Sequence, residues 1–314
     1  MAVQTCRLRT RNGENRHSLP WPNAKAWPMA LLLGLFAALC WSVHDLAARY
    51  FAPRTGAFRL GMLTEIAGLI LVVPLFFHLP QASMHEWLLV VLLGIIYGAA
   101  IAGLFKAFAM APVAIVGPFT AGYPALVVLW GIFNGASPTL VQYLAMAAIL
   151  VGAVIVGRSG DKDAADAPAI QKSKLLELTF WIVLADVCFA TAIVLGQRLG
   201  PVFGDVTTAG LLRGPAIMLL LPFALTEPAP TSKLTWKIGA VILAMGGLDV
   251  AALSGINYMG TLPGKELGAM GISAYGALAT LLAMIWLNEK VSLGQWFGIG
   301  LIVAGVAGLG IQAG

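Results

Sequence analysis

One charge-poor hairpin, written twice, limits what this chain can become. Residues 273–310 comprise two apolar spans, each about long enough to cross a bilayer, parted by the short polar hinge Asn288-Glu289-Lys290. In lipid, a helical pair satisfies its own backbone polar groups. Residues 120–157 hold a weaker copy: Gln142 matches Gln295, Gly152 matches Gly305 and Gly157 matches Gly310, all 153 positions apart. Matches sharing one spacing over about forty residues favour a duplicated unit over coincidence among apolar helices.

Composition narrows the class further. Hydrophobic residues make up 59% of the 314 and charged residues 11%, against about 25% charged in a soluble domain. The runs 29–41, 88–104 and 298–310 contain no charged residue. A water-soluble globular domain is excluded, and a polytopic membrane protein is expected. The net charge of +5 lies partly in the tail, where Arg7, Arg9, Arg11, Arg16 and Lys25 stand against Glu14. Such a tail marks the cytoplasmic side of a membrane, and no interleaved basic and aromatic surface points to nucleic acid. Cys6, Cys40 and Cys188 suggest neither a disulfide framework nor a metal site, and no cofactor motif appears. The tail and the run ending at Cys40 imitate a secretory signal. Leu39 is bulky where cleavage wants a small residue and the apolar run continues, so an uncleaved first helix is expected.

Ten spans are predicted: 28–48, 58–78, 86–108, 112–133, 138–157, 177–197, 207–226, 237–258, 266–286 and 293–312. The chain divides into a basic tail (1–27), a five-helix repeat (28–157), a polar linker (158–176) and a second five-helix repeat (177–314). At a spacing of 152, Tyr123-Pro124 lies over Tyr275-Gly276, and Tyr97 lies over Asp249. With small insertions, Cys40-Trp41 pairs with Cys188-Phe189, and Phe58-Arg59 pairs with Leu212-Arg213. Five spans is an odd number, so the second copy enters the membrane upside down. The expected fold is all-α, ten transmembrane helices arranged as two inverted five-helix repeats, an architecture that recurs in transporters.

The hairpin 273–289, followed by Gly294-Gln295 and Gly305-Val306-Ala307-Gly308, resembles the EamA-type module of the drug/metabolite transporter superfamily. Cys40-Trp41, Arg59, Arg213 and the two-copy layout extend the resemblance over nearly all of the chain. It implies a polytopic carrier of metabolites, amino acids or toxic compounds, often an exporter, in the inner or plasma membrane. Three departures stand out. Gly276 occupies a position where the family often has Pro, Asn288 replaces the usual Gly before Glu289, and the first copy has no acid matching Glu289. With the tail inside, ten spans return the C-terminus to the cytoplasm. Arg54, Arg158, Lys162, Lys172, Lys174, Lys233, Lys237 and Lys290 then lie outside, and the loops alone would favour the opposite orientation.

Polar side chains inside spans are expensive and usually face the bundle interior or water. Asp186 and Asp249 lie well inside, with no oppositely charged neighbour within a turn. A carboxylate there can hold a proton, because desolvation disfavours its charge, and a proton-coupled carrier needs such a group. The bland reading is a structural carboxylate bonded to a neighbouring helix. Glu65 is six residues past Arg59, on nearly opposite helical faces, so it needs a partner from another helix, with Lys106 a candidate. A structural ion pair is the expectation there. For His44 and Asp45 the expectation is an Asp45–Arg49 helical pair and a bonded interface histidine. Asn257, Arg213 and Lys265 complete the polar candidates, Lys265 being expected to snorkel to the surface. Trp41, Tyr97, Tyr123 and Tyr275 recur at related places and could wall a site for amphiphilic or cationic solutes, although packing is their commoner use.

The leading expectation is a secondary carrier, not an enzyme, that exports a small organic solute by proton coupling or exchange. Its partners are the solute, protons and the lipid bilayer; oligomeric state is not legible. A passive facilitator of the same fold is the alternative. A lipid-linked transferase is disfavoured, since no loop exceeds the 158–176 linker.

Overall fold

The computed structural model describes residues 27–111, 113–120, 123–160, 172–231, 235–288 and 291–311. The basic tail, the central part of the linker (161–171) and the hinge residues Glu289 and Lys290 lie outside the described residues. Those described form helices and no strand. The first half contributes α1 (Trp27–Thr55), α2 (Ala57–Val72), α3 (Met84–Met110), α4 (Val113–Thr120), α5 (Tyr123–Phe133) and α6 (Leu140–Gly160). The second contributes α7 (Lys172–Phe203), α8 (Asp205–Leu211), α9 (Arg213–Thr226), α10 (Trp236–Met259), α11 (Lys265–Ile272), α12 (Tyr275–Trp286) and α13 (Leu293–Ile311).

Seven helical stretches are long and apolar enough to cross a membrane, and three shorter apolar helices accompany them. The polarity is inverted relative to a soluble protein. Phe77, Phe133, Trp236 and Leu293 stand exposed, while Glu65, Arg213 and Asp249 are buried. This is the distribution expected of an integral membrane protein, whose solvent is hydrocarbon.

Three spans expected to be continuous are interrupted. The stretch 112–133 holds two helices, α4 and α5; 207–226 breaks at Leu212 between α8 and α9. The stretch 266–286 breaks at Ser273-Ala274, where Ser273 N bonds Met270 O (3.1 Å) and Ala274 N bonds Gly271 O (3.1 Å). That tighter pairing ends one helix and lets the next restart at a new angle. Tyr123 and Tyr275 are consequently the first residues of α5 and α12. The expected span 58–78 also changes character: Pro74 follows α2, and Val73–His78 continues as a 3-10 turn.

The connections repeat. A single residue joins α1 to α2 and α7 to α8: Gly56 (φ 97) in one case and Gly204 (φ 89) in the other. Only glycine adopts that backbone without strain, and each follows a proline by three residues, Pro53 and Pro201. Asn288, which departs from the family's Gly, is left-handed (φ 54), as is its counterpart Gly135 (φ 97). Asn is a side chain that tolerates this region. Gln142 and Gln295 also match for a reason. Each accepts from a backbone amide at its helix start, Thr139 N and Ser292 N (2.8 Å each), and Thr139 and Ser292 answer with their hydroxyls. These are reciprocal caps.

Contacts between the halves come in matched pairs. Where α6 crosses α13, a Cβ added to Gly152 would lie 2.6 Å from Gly298 O, and one added to Gly305 would lie 2.6 Å from Ala145 O. The residues 145 and 152 are the counterparts of 298 and 305. Gly94 sits against Leu212 and Pro215, while its counterpart Gly246 sits against Thr64 and Ala67. This last match fixes a spacing of 148 for α2 against α8 and α9, the same as that of Gly56 and Gly204. It corrects the expected pairing of Arg59 with Arg213. At this spacing Arg59 corresponds to Thr207, and the counterpart of Arg213 is Glu65.

Candidate functional site

The centre of the bundle is built around Asp249, one of the few polar residues of α10. Trp41 Nε1 on α1 donates to its Oδ1 (2.8 Å), and the Tyr97 hydroxyl on α3 donates to the same carboxylate (2.7 and 2.8 Å). Arg213, the first residue of α9, donates from Nη2 to Asp249 Oδ2 (2.7 Å) and from Nη1 to Glu65 Oε2 (2.8 Å). Charge-assisted bonds of this length are strong, and all these groups are withdrawn from water. Asp249 is thus held by three side chains from three other helices. Glu65 has only the guanidinium: its Oε1, like Arg213 Nε, finds no hydrogen-bond partner among the described residues.

A second polar pole lies on α1. Asp45 is held by His44 Nδ1 (2.6 Å) and by the Tyr275 hydroxyl (2.5 Å) at the break between α11 and α12. Between the two poles is a cavity walled by Trp41, Tyr97, Tyr123, Phe189 and Tyr275. His44, Asp45, Thr120 and Asp249 are its polar groups. The rings meet edge-on or tilted, with Trp41 6.3 Å from Tyr123 and 6.2 Å from Phe189. The space is tight, with about 20 Å³ open to the centre of a water molecule. That is room for about one water, so a solute of any size requires the helices to part. Chemically the chamber offers aromatic rings, a Tyr123 hydroxyl with no partner among the described residues, and an excess of carboxylate. Asp45, Glu65 and Asp249 face one guanidinium and one imidazole.

Of the residues singled out from sequence, Trp41, His44, Tyr97, Tyr123, Asp249 and Tyr275 come together at this cavity, with Glu65 and Arg213 directly behind. The ionic partner of Glu65 is Arg213, not Lys106, which is half-buried on α3 and does not line the cavity. Asp186 lies on α7 outside the cavity lining, with its Oδ1 buried and unpartnered among the described residues. Lys265 is exposed at the start of α11. Asn257 does not line the cavity; its Nδ2 donates to Asp205 O (3.0 Å) and ties α10 to the start of α8.

Arg59 serves at the far end of α2. It donates to the carbonyls of Ala224 (3.0 Å), Glu227 (3.1 Å) and Pro228 (3.0 Å) where α9 ends. The Glu227 carboxylate returns the favour by accepting from Phe58 N (3.0 Å) and Arg59 N (2.9 Å). A cation on carbonyls at a helix C-terminus and an anion on amides at an N-terminus both suit the helix dipole. Sequence reasoning undervalued Asp45 by pairing it with Arg49, when its partners are His44 and Tyr275. The available signal was its counterpart Ile193: a carboxylate where the other copy is apolar.

Comparison with known proteins agrees with this architecture. A solved structure described only as a crystal structure of a protein is 22% identical and covers 89% of this chain and 97% of its own, with a TM-score of 0.66. At that identity it shows a shared fold. No curated protein sequence matches. The model of the EamA-like transporter family matches twice, over residues 28–158 and 178–311. The chain, an integral membrane protein by its spans, belongs to the EamA-like transporter family.

Proposed function

We propose that the protein is a secondary transporter that moves a small organic solute by alternating access, outward across the inner or plasma membrane. In this reading the seven long and three short apolar helices make ten crossings. They form two inverted five-helix repeats, with both termini cytoplasmic. Rocking of one repeat against the other opens the central cavity to each side in turn, driven by protons or by exchange.

One observation carries the reading. Tyr97 and Asp249 occupy counterpart positions in the two halves, and they hydrogen-bond each other inside the cavity. Counterparts touch in this way only near an axis relating the halves, which is where an alternating-access site is fixed. The excess of buried carboxylate supports coupling, since a proton can neutralise it.

The test is flux into proteoliposomes loaded with candidate solutes. Counterflow of labelled solute against an unlabelled gradient, stimulated by an imposed pH difference, is the expected result. Saturable flux without counterflow would mark a passive facilitator instead. Absence of any protein-dependent flux across a panel of cationic, zwitterionic and anionic solutes would sink the transporter reading.

A further inference from the structure

Resting on the transporter reading, we infer that the solute is an organic monocation that competes with Arg213 for Asp249, and that the proton it exchanges for resides on Glu65. The geometry has three parts. Asp249 lines the cavity together with aromatic rings, whereas Glu65 is fully buried behind it and does not line the cavity. One guanidinium spans both carboxylates through separate nitrogens, at 2.7 and 2.8 Å. Asp249 is satisfied by two further donors, while Glu65 has an oxygen with none among the described residues.

Two carboxylates sharing one fixed positive charge leave an excess negative charge in a site withdrawn from bulk water, a costly state. A proton on Glu65 removes it, since Asp249 has the donors that favour a carboxylate and Glu65 lacks them. A cation entering among Trp41, Tyr97, Tyr123 and Phe189 finds ring faces and the Asp249 carboxylate, the combination that recognises quaternary ammonium groups. It takes over the neutralisation of Asp249. The guanidinium then belongs to Glu65, which forms a complete ion pair only by giving up its proton. The balance is one cation bound and one proton released, with the charge of the site unchanged. The charged and titratable groups facing Glu65 are Arg213 on α9, Asp249 on α10, Tyr97 on α3 and His44 on α1. Of the other elements against α2, α8 carries Asp205 at its first residue, and the 3-10 turn carries His78 at its last. His44 is already bonded to Asp45.

Purified full-length protein in detergent, lightly buffered, would be titrated with phenyltrimethylammonium. Binding is read by equilibrium dialysis and proton release by an indicator dye. The wild type should release about one proton per cation bound, as linkage between the two sites requires. Glu65→Gln should release less than about a tenth of a proton per cation bound, because its neutral amide has none to give, and should bind at least about tenfold more weakly, because the displaced guanidinium finds no anion. Asp249→Asn should weaken binding by at least about tenfold through loss of the charge that the cation pairs with.

Should Glu65→Gln not fold, infrared difference spectra of the wild type read the same event. A protonated carboxyl band should be lost on adding the cation, and Glu65→Asp should displace that band. Proton release that persists in Glu65→Gln would place the proton elsewhere, His44 included, and overturn the inference. So would cation binding by the wild type without release at any pH from about 6 to 9, where an exchangeable buried carboxyl should respond. Counterflow of an anionic or neutral solute with no cation binding would overturn this inference and leave the transporter reading standing. Stoichiometric cation–proton exchange in detergent without flux in liposomes would do the reverse.

Discussion

The two seams between the halves treat their shared symmetry in opposite ways. Along α6 and α13 the counterparts remain alike: Gly152 and Gly305, Ile149 and Ile302, Gln142 and Gln295 play the same part on each side. At the centre the counterparts touch and differ: Glu65 faces Arg213, Tyr97 faces Asp249, and Trp41 faces Phe189. The reason is electrostatic. In the inverted-repeat arrangement proposed above, a residue near the axis meets its own counterpart, so an undiverged pair of Glu or Asp would bury like charges together. Fusing both copies into one chain lets each member of such a pair change alone, and a like pair becomes an ion pair or a hydrogen bond. Seams made of small apolar residues face no such pressure and have kept their symmetry.

Breaking the central pair should have the largest effect. Arg213→Gln removes the one cation that buried Glu65 and Asp249 share and should cost about 3–5 kcal/mol, seen as loss of monodisperse protein or a large fall in Tm. The sharper version exchanges the counterparts. Glu65→Arg with Arg213→Glu should recover only part of the loss, because the guanidinium then leaves Asp249. Adding Tyr97→Asp and Asp249→Tyr should recover more. Equal stability of the double and quadruple variants would show that the matched geometry is not what holds the centre together.

At the symmetric seam the prediction is equality. Gly152→Leu and Gly305→Leu each drive a side chain into a facing carbonyl and should destabilise by about 1–3 kcal/mol. The two should agree within about 0.5 kcal/mol if the seam is the same from both sides. A thermal-shift comparison in one detergent decides it. Arg59→Ala, which removes bonds at a helix end but none at the cavity, should cost about 1–2 kcal/mol of stability, read as a fall in Tm. The smallest effect expected is from Trp41→Phe, which keeps the ring and removes one donor to Asp249. It should cost about 1 kcal/mol in solute binding or stability, measured by dialysis and Tm.

Much of this architecture could be read from residue patterns. The helical hairpins followed from charge-free runs, and the match of Gln142 with Gln295 from their spacing, although not that each would cap its helix. The apposition of Tyr97 with Asp249 was legible as a match at 152, although not that the two would touch. What was hidden depended on small shifts in register. Aligning Arg59 with Arg213 by residue type obscured the fact that Glu65 is the residue answering Arg213, because a like pair attracts the eye and a complementary pair does not. The helix break at Ser273 was hidden for another reason: it occurs in sequence without proline, where packing decides whether the helix continues, whereas the break at Leu212 had a signal in Arg213-Gly214-Pro215, which was passed over. Asp45 was missed because a neighbour one turn away offered a cheaper local explanation than a tyrosine about 230 positions further along.

The clasp of Arg59 and Glu227 has one more implication. It bolts one end of the α2–α9 pair, and the positions that answer it at the opposite end, Thr207 and Leu79, hold no charges with which to build another. On the alternating-access reading proposed above, a gate on the clasped face must break several strong bonds before it swings, while a gate on the other face has no such clasp to break. On that same reading, the molecule at rest has a preferred doorway, and cutting the clasp should make its two sides more nearly interchangeable.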